Sequence, residues 1–394
     1  MQSYIRTLTL LVAISGLFLS CEDELDLEND SFFRIYSNRN AEIDYEPIDI
    51  VETASGYVIL AATKLVDSDF KGIQIITVDK AGNFLRERTM DSEMVVPTPD
   101  MFRVDSTFYF FAMSRTTLRA QLIATDENFR NLEVTPVGNV LYPLSAAMNS
   151  GGNLLLQSYD PASLTTVISE VRTDGTVLNQ AGYTIGAGQD VEPTILAHYL
   201  EPDGRQPFFC GEVNPGNYYF NGFYDFSLSL VFSDFSQEPS GVVQGQSDNG
   251  GIRAAYSITG NLFALVGFQF DENYVVPSTP VGTGTTSSSI DLFSSDQAEL
   301  KTGTPAAIIP YGENHVVIAA ETESREVALY FYNLTTTEVS GIETIGFINP
   351  FTLSTVRTDE EQNLLVIGTT FTSGRFERVF FRKVAASDVN GFLN

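Results

Sequence analysis

The chain has 394 residues, of which 22 are Lys or Arg and 50 are Asp or Glu, for a formal net charge of −28. Hydrophobic residues make up 43% and charged ones 18%, which supports a sizeable core and excludes global disorder. So acidic a protein is repelled by nucleic acid and by anionic lipid, which excludes both as electrostatic partners.

Met1 to Ser20 has the layout of an export signal. Arg6 supplies a short positive region, Leu8 to Leu19 is apolar, and small Ser20 closes it before Cys21. The apolar stretch is too short to span a bilayer, which takes about 20 residues as a helix, and no later segment approaches that length. Leu17-Phe18-Leu19-Ser20-Cys21 resembles the lipobox of Bacteroidota outer-membrane lipoproteins, with Phe18 where Leu is usual. The resemblance implies that Cys21 is acylated and becomes the mature N-terminus. It also implies an outer-membrane location, and the acids Glu22-Asp23-Glu24 resemble the signal that directs such lipoproteins to the cell surface. Each buried acyl CH₂ contributes about 0.8 kcal/mol, so several chains hold a protein at a membrane without basic residues. After Cys21 come six acids in nine residues, which makes 21–30 a self-repelling, extended tether. The alternative is an ordinary secretory peptide cut near Ser20, with Cys21 incidental.

The remainder, 31–394, reads as one domain built from an internal repeat. Ser31 to Ser37 is a spare strand ahead of the first unit. A mostly apolar strand then recurs at intervals of about 50 residues, at Tyr57–Ala62, Phe108–Met113, Asn153–Leu156, Gln206–Gly211, Asn261–Gly267, His315–Ala320 and Asn363–Gly368. Ahead of six of these stands a proline that opens a preceding strand: Pro47, Pro99, Pro143, Pro193, Pro305 and Pro350. The fifth unit opens on Gly250-Gly251 instead. Behind them fall polar turns at Asp79, Asp126, Asp174, Asp234, Asp296 and Asn333. No segment holds a helical period.

Four strands per unit, seven times, predict an all-β fold: a seven-bladed β-propeller of four-stranded blades. The last unit runs out of chain after three strands. Pairing it with Ser31–Ser37, by a crossing loop at 38–46, predicts a ring closed by the N-terminal strand and free of open edges. Eight blades with one degenerate is the alternative.

Candidate chemistry is sparse. His198 and His315 fall on strands of different units and read as structural, so there is no metal site and no histidine-based nucleophile. Cys210, between Phe209 and Gly211, reads as a small buried hydrophobe. Asp67-Ser68-Asp69 is oxygen-rich but lacks calcium-loop spacing. Thr173-Asp174-Gly175-Thr176 has Asp and Gly adjacent, unlike the sialidase Asp-box, and the chain has no Trp. No cofactor motif is present, and no catalytic residue is assigned.

Two aromatic stretches stand out between the second and third strands of adjacent units. Val213 to Tyr224 contains Tyr218, Tyr219, Phe220, Phe223 and Tyr224, and Asp271 to Pro277, followed by a Gly/Thr/Ser-rich run to Ser289, contains Tyr274. As loops on one face they would suit a sugar, peptide or protein ligand, because Tyr gives a large amphipathic contact at low entropic cost. The alternative is that they pack onto their own blades. The expectation is a surface-exposed, lipid-anchored binding or scaffolding subunit of an outer-membrane assembly for transport or secretion. It would be held to the membrane through Cys21 and partnered by an outer-membrane protein. A glycan-binding lipoprotein, or a carbohydrate-active enzyme with carboxylates and tyrosines at the central channel, is the alternative.

Overall fold

The computed structural model describes residues 31–36, 44–64, 68–186, 191–201, 206–246, 250–270, 272–292, 297–346, 348–371 and 376–393. The export signal, Cys21, the acidic tether, most of the crossing loop, Asp67, Asp271 and Asp296 lie outside the described residues.

Up-and-down antiparallel meanders follow one another along the chain. β1 (Phe32–Tyr36) stands apart from the first meander, which comprises β2 (Tyr45–Thr53), β3 (Gly56–Lys64), β4 (Lys71–Asp79) and β5 (Phe84–Thr89). Two-residue β6 (Met94–Val95) bonds to both β4 and β8 and so fuses this meander with β7 (Phe102–Val104), β8 (Thr107–Ser114), β9 (Arg119–Thr125) and β10 (Leu132–Leu141). Next come β11 (Pro143–Met148), β12 (Leu154–Asp160), β13 (Thr165–Val171) and β14 (Val177–Thr184), then helix α1 (Val191–Leu200). The following sheet has β15 (Phe209–Asn214), β16 (Asn217–Tyr224), β17 (Ser227–Ser233) and β18 (Gly241–Gln244).

β19 (Gly250–Thr259), β20 (Leu262–Gln269) and β21 (Glu272–Pro280) form a sheet of three, because β22 (Thr286–Ser288) leaves to pair in parallel with β18. β23 (Ala306–Tyr311), β24 (His315–Glu321), β25 (Val327–Asn333) and β26 (Val339–Ile345) restore the pattern. The last meander, β27 (Phe351–Thr358), β28 (Leu364–Phe371) and β29 (Glu377–Val384), takes β1 as its fourth strand, with Phe32 opposite Lys383 and Tyr36 opposite Val379. Helix α2 (Ala386–Leu393) follows.

The packing explains why the second strands are apolar without alternation. Successive side chains of a strand point to opposite faces. In β3, Tyr57, Ile59 and Ala61 pack with Leu365, Ile367 and Phe381, while Val58, Leu60 and Ala62 pack with Phe108, Phe110 and Ala112. Each sheet is thus buried on both faces by its neighbours, and the core is a series of clusters between successive sheets. The first strands touch in succession: β11 with β15, β15 with β19, β19 with β23, β23 with β27, and β27 with β2. Meanders stacked face to face around a common row of first strands make the chain a β-propeller.

The recurrent polar turns are self-closing hairpin ends. Asp79 Oδ1 accepts the N–H groups of Ala81 at 3.0 Å and Asn83 at 2.7 Å, and Asp359 does the same for Glu361 at 3.1 Å and Asn363 at 2.8 Å. Their carboxylates replace missing backbone acceptors, the role Asp and Asn have in tight turns.

Three expectations are corrected. Residues 191–200, read as a strand opened by Pro193 and carrying His198, are helix α1. Pro193 lies in its first turn, where the N–H it lacks would have found no intrahelical acceptor, and Val191, Ile195 and Tyr199 bury one side on Leu144, Phe208 and Leu228. The blade is therefore shifted by one strand. The Gln206–Gly211 stretch leads into the innermost strand, and Val213 to Tyr224 is no loop but the end of β15, a Pro215-Gly216 turn and β16. Of the 271–277 stretch, Glu272 to Pro277 likewise lie in β21, the third strand of its sheet, and the Ser/Thr-rich run carries β22.

Candidate functional site

A cavity of about 500 Å³ lies among the inner strands. Its wall is built from β15, β19, β23 and β27, the loop ahead of β7 and His198 of α1. Inner strands carry mostly small or apolar side chains here, so their few charged residues face a restricted space.

The strongest polar feature spans three meanders. Arg357 on β27 donates Nε to Asp49 Oδ1 and Nη2 to Asp49 Oδ2, both at 2.9 Å, and bonds Asp100 through Nη2. Asp49, on β2 and 1% exposed, also accepts the N–H of Ile50 at 2.9 Å and of Met101 at 2.6 Å. Burial raises the pKa of Asp100, against the opposing pull of Arg357. Burial acts to discharge Arg357, but the two carboxylates outweigh it and hold the guanidinium charged well above the ordinary arginine range.

A second arginine sits one wall away. Arg253, 3% exposed on β19, donates to the carbonyls of Lys301 at 3.1 Å and Thr304 at 2.8 Å and to Asn273 Oδ1 at 2.8 Å. Its Nε is one of the few buried polar atoms with no partner among the described residues. Burial lowers its pKa to about 10, with Glu321 opposing. Glu321 accepts the Leu353 N–H at 3.1 Å, faces Lys301 at 3.6 Å, and is itself raised by burial.

His198 accepts the Gln206 N–H on Nδ1 at 3.0 Å and packs edge-on against Phe208 and Tyr199. His315 opens β24 beside its neighbouring strands, paired in register with Tyr311 and Asn333. Cys210 is buried on β15, and burial pushes its thiol up to about 12, so it is protonated at neutral pH. Among the described residues no three His, Cys, Asp or Glu side chains converge on a point that could hold a metal.

The aromatic candidates are not brought together. Tyr218 and Phe220 point from β16 into the cluster with Leu155 and Ile168, Tyr219 points the other way toward Ile252 and Phe263, and Phe223 packs in the cluster of α1. Tyr224 is half-buried, and Tyr274 on β21 is half-buried with its hydroxyl on Glu272. Of the six, Tyr219 alone reaches the cavity wall, its hydroxyl donating to the Ala255 carbonyl at 3.4 Å. Asp49, Asp100, Arg253 and Arg357 were not singled out from sequence. The available signal was a charge inside an apolar inner strand, as in Ile252-Arg253-Ala254 and Val356-Arg357.

No family model matches the sequence, and no curated protein matches it. Solved structures similar in fold include the β-propeller domain of the Trilobed protease from Pyrococcus furiosus, which has an open velcro topology. It is 10% identical, with a TM-score of 0.49, covering 86% of this chain and 93% of that one. The Dos1 propeller is also 10% identical with a TM-score of 0.49, covering 89% and 82%. A protein of unknown function from Bacteroides caccae is 10% identical with a TM-score of 0.34, covering 82% of each. Likeness at this level carries no chemistry across to this chain.

Proposed function

We propose that the chain is a seven-bladed propeller closed by β1, anchored through acylated Cys21 at the outer face of the outer membrane, and that it serves as a binding or scaffolding subunit of an outer-membrane assembly. The pairing of β1 with β29 and the contact of β27 with β2 support the ring. Tyr36 adds to this by donating its hydroxyl to the Gly82 carbonyl, which ties β1 to the first meander as well as the last.

One observation carries the binding role. The axis is not sealed by core side chains but left as a cavity of about 500 Å³, lined by half-buried aromatic residues and by charged groups whose hydrogen-bonding capacity is not filled among the described residues. Ligand sites are typically cavities of about 300–1,000 Å³ that mix apolar walls with a few convergent polar groups. The candidate seat therefore moves from the 213–224 stretch to the axis.

Two measurements test this reading. Radiolabelled palmitate should enter the wild-type protein and not Cys21→Ala, and an integral outer-membrane barrel should co-purify with the lipidated form. A wild-type protein that takes up no label rejects the anchor. One that purifies alone rejects the assembly role.

A further inference from the structure

We infer that the axial cavity binds the neutral end of a saccharide, with vicinal hydroxyls on the Arg357–Asp100 pair and a sugar face against the rings of Phe209, Tyr256 and Phe268. This rests on the binding role proposed for the cavity and names its ligand class.

The ion pair is open on the cavity side. Arg357 uses Nε and Nη2 on Asp49 and Asp100, and its Nη1 bonds nothing among the described residues. Asp100 accepts through Oδ1, and its Oδ2 has no partner among the described residues. The two side chains are 33% and 32% exposed, and both line the cavity. A donor and an acceptor held side by side match two neighbouring hydroxyls, each of which both donates and accepts.

Charge argues against an anionic ligand. One guanidinium and two carboxylates leave this wall with an excess of negative charge. An anion would also have to approach a protein of net charge −28.

The other wall is aromatic. Phe209 on β15, Tyr256 on β19 and Phe268 on β20 are half-buried and line the cavity. The Tyr256 hydroxyl makes no hydrogen bond among the described residues, although burial raises its pKa. The two walls are within electrostatic reach of one another, because Asp100 adds to the burial that raises the pKa values of Tyr219 and Cys210. Rings on one side and an open donor–acceptor pair on the other suit a ligand with an apolar face and a hydroxylated edge. The volume suits about one or two sugar rings.

Saturation-transfer NMR on the full chain tests this with maltose, cellobiose, lactose, chitobiose and mannobiose as neutral probes and galacturonic acid as the charged one. Transfer to at least one disaccharide and none to galacturonate is expected. Phe268→Ala and Tyr256→Ala should each weaken that binding about tenfold, a loss on the scale of one removed ring contact, with the melting temperature unchanged in at least one of them. The absence of transfer to all five disaccharides overturns the inference, as does a preference for galacturonate or binding undiminished in both variants. Partner capture separates this from the broader reading. If the outer-membrane partner still co-purifies while no disaccharide binds, the scaffold stands and the saccharide falls. If a disaccharide binds and no partner does, the reverse holds.

Discussion

Arg357 grips Asp49 through two parallel hydrogen bonds of 2.9 Å, although 308 residues separate them. The contact joins β27 to β2, and the Met101 N–H on the same carboxylate adds the start of the second meander. A bidentate guanidinium–carboxylate pair is among the strongest charge-assisted contacts and fixes geometry as well as energy. It therefore works as a latch where the first and last meanders meet.

Removing one member of the latch should cost more than replacing both. Arg357→Met leaves Asp49 buried without its counter-charge, and a loss of about 3 kcal/mol is expected, the low end for such pairs because Arg357 is a third exposed. Combining it with Asp49→Asn should recover part of that loss. Urea denaturation of the single and double variants measures both, and additive losses would refute the coupling.

The β1 strand should matter out of proportion to its five residues. Phe32 meets Phe381 edge-on at 4.9 Å and lies so close to Gly82 that a β-carbon there would sit 2.5 Å from its ring. Phe32→Ala is expected to cost about 3 kcal/mol, as for a buried aromatic truncation. Deleting Phe32–Tyr36 should bare the edge of β29 and promote self-association, which size-exclusion chromatography reads directly.

Glu170 gives the pH dependence a defined sign. Burial acts to raise its pKa, but the side-chain amides of Asn179, Asn153 and Asn149, at 2.7, 2.9 and 2.9 Å, outweigh it and hold the carboxyl below the ordinary glutamate range. A lowered folded pKa means stability that is present above the unfolded glutamate value, about 4.3, and lost as pH falls through the folded one. Glu170→Gln should cost about 1–2 kcal/mol at neutral pH, and the gap to wild type should narrow below about pH 4. A gap independent of pH would contradict this account.

Cys210 should be chemically silent in the native state. Its thiol is buried and pushed up to about 12 by burial, so the thiolate needed for alkylation is scarce at pH 8. Iodoacetamide is expected to label the Cys210 peptide after denaturation and not before, as mass spectrometry can follow.

The latch residues also mark where sequence reasoning stops. A strand buried on both faces announces itself locally, and β3, β8, β12, β20, β24 and β28 were legible for that reason. β16 obeys the same rule with tyrosines and phenylalanines, and on paper these look like a recognition loop. Reading β16 as a loop sets its blade one strand early and makes a strand of α1. The short apolar spacing of Val191, Ile195 and Tyr199 carries too little periodicity to announce a helix.

What the sequence by itself determined is the repeat, the all-β character and the spare strand at Phe32–Tyr36 that the last sheet lacks. These follow from burial patterns within a few residues, which strand geometry converts directly into period and length. Tertiary structure alone decided that β22 crosses to β18, and that Asp49, Asp100, Arg253 and Arg357 collect around one axis. A charge in an inner strand acquires a partner only when distant meanders turn toward a common centre, and no local pattern records that meeting.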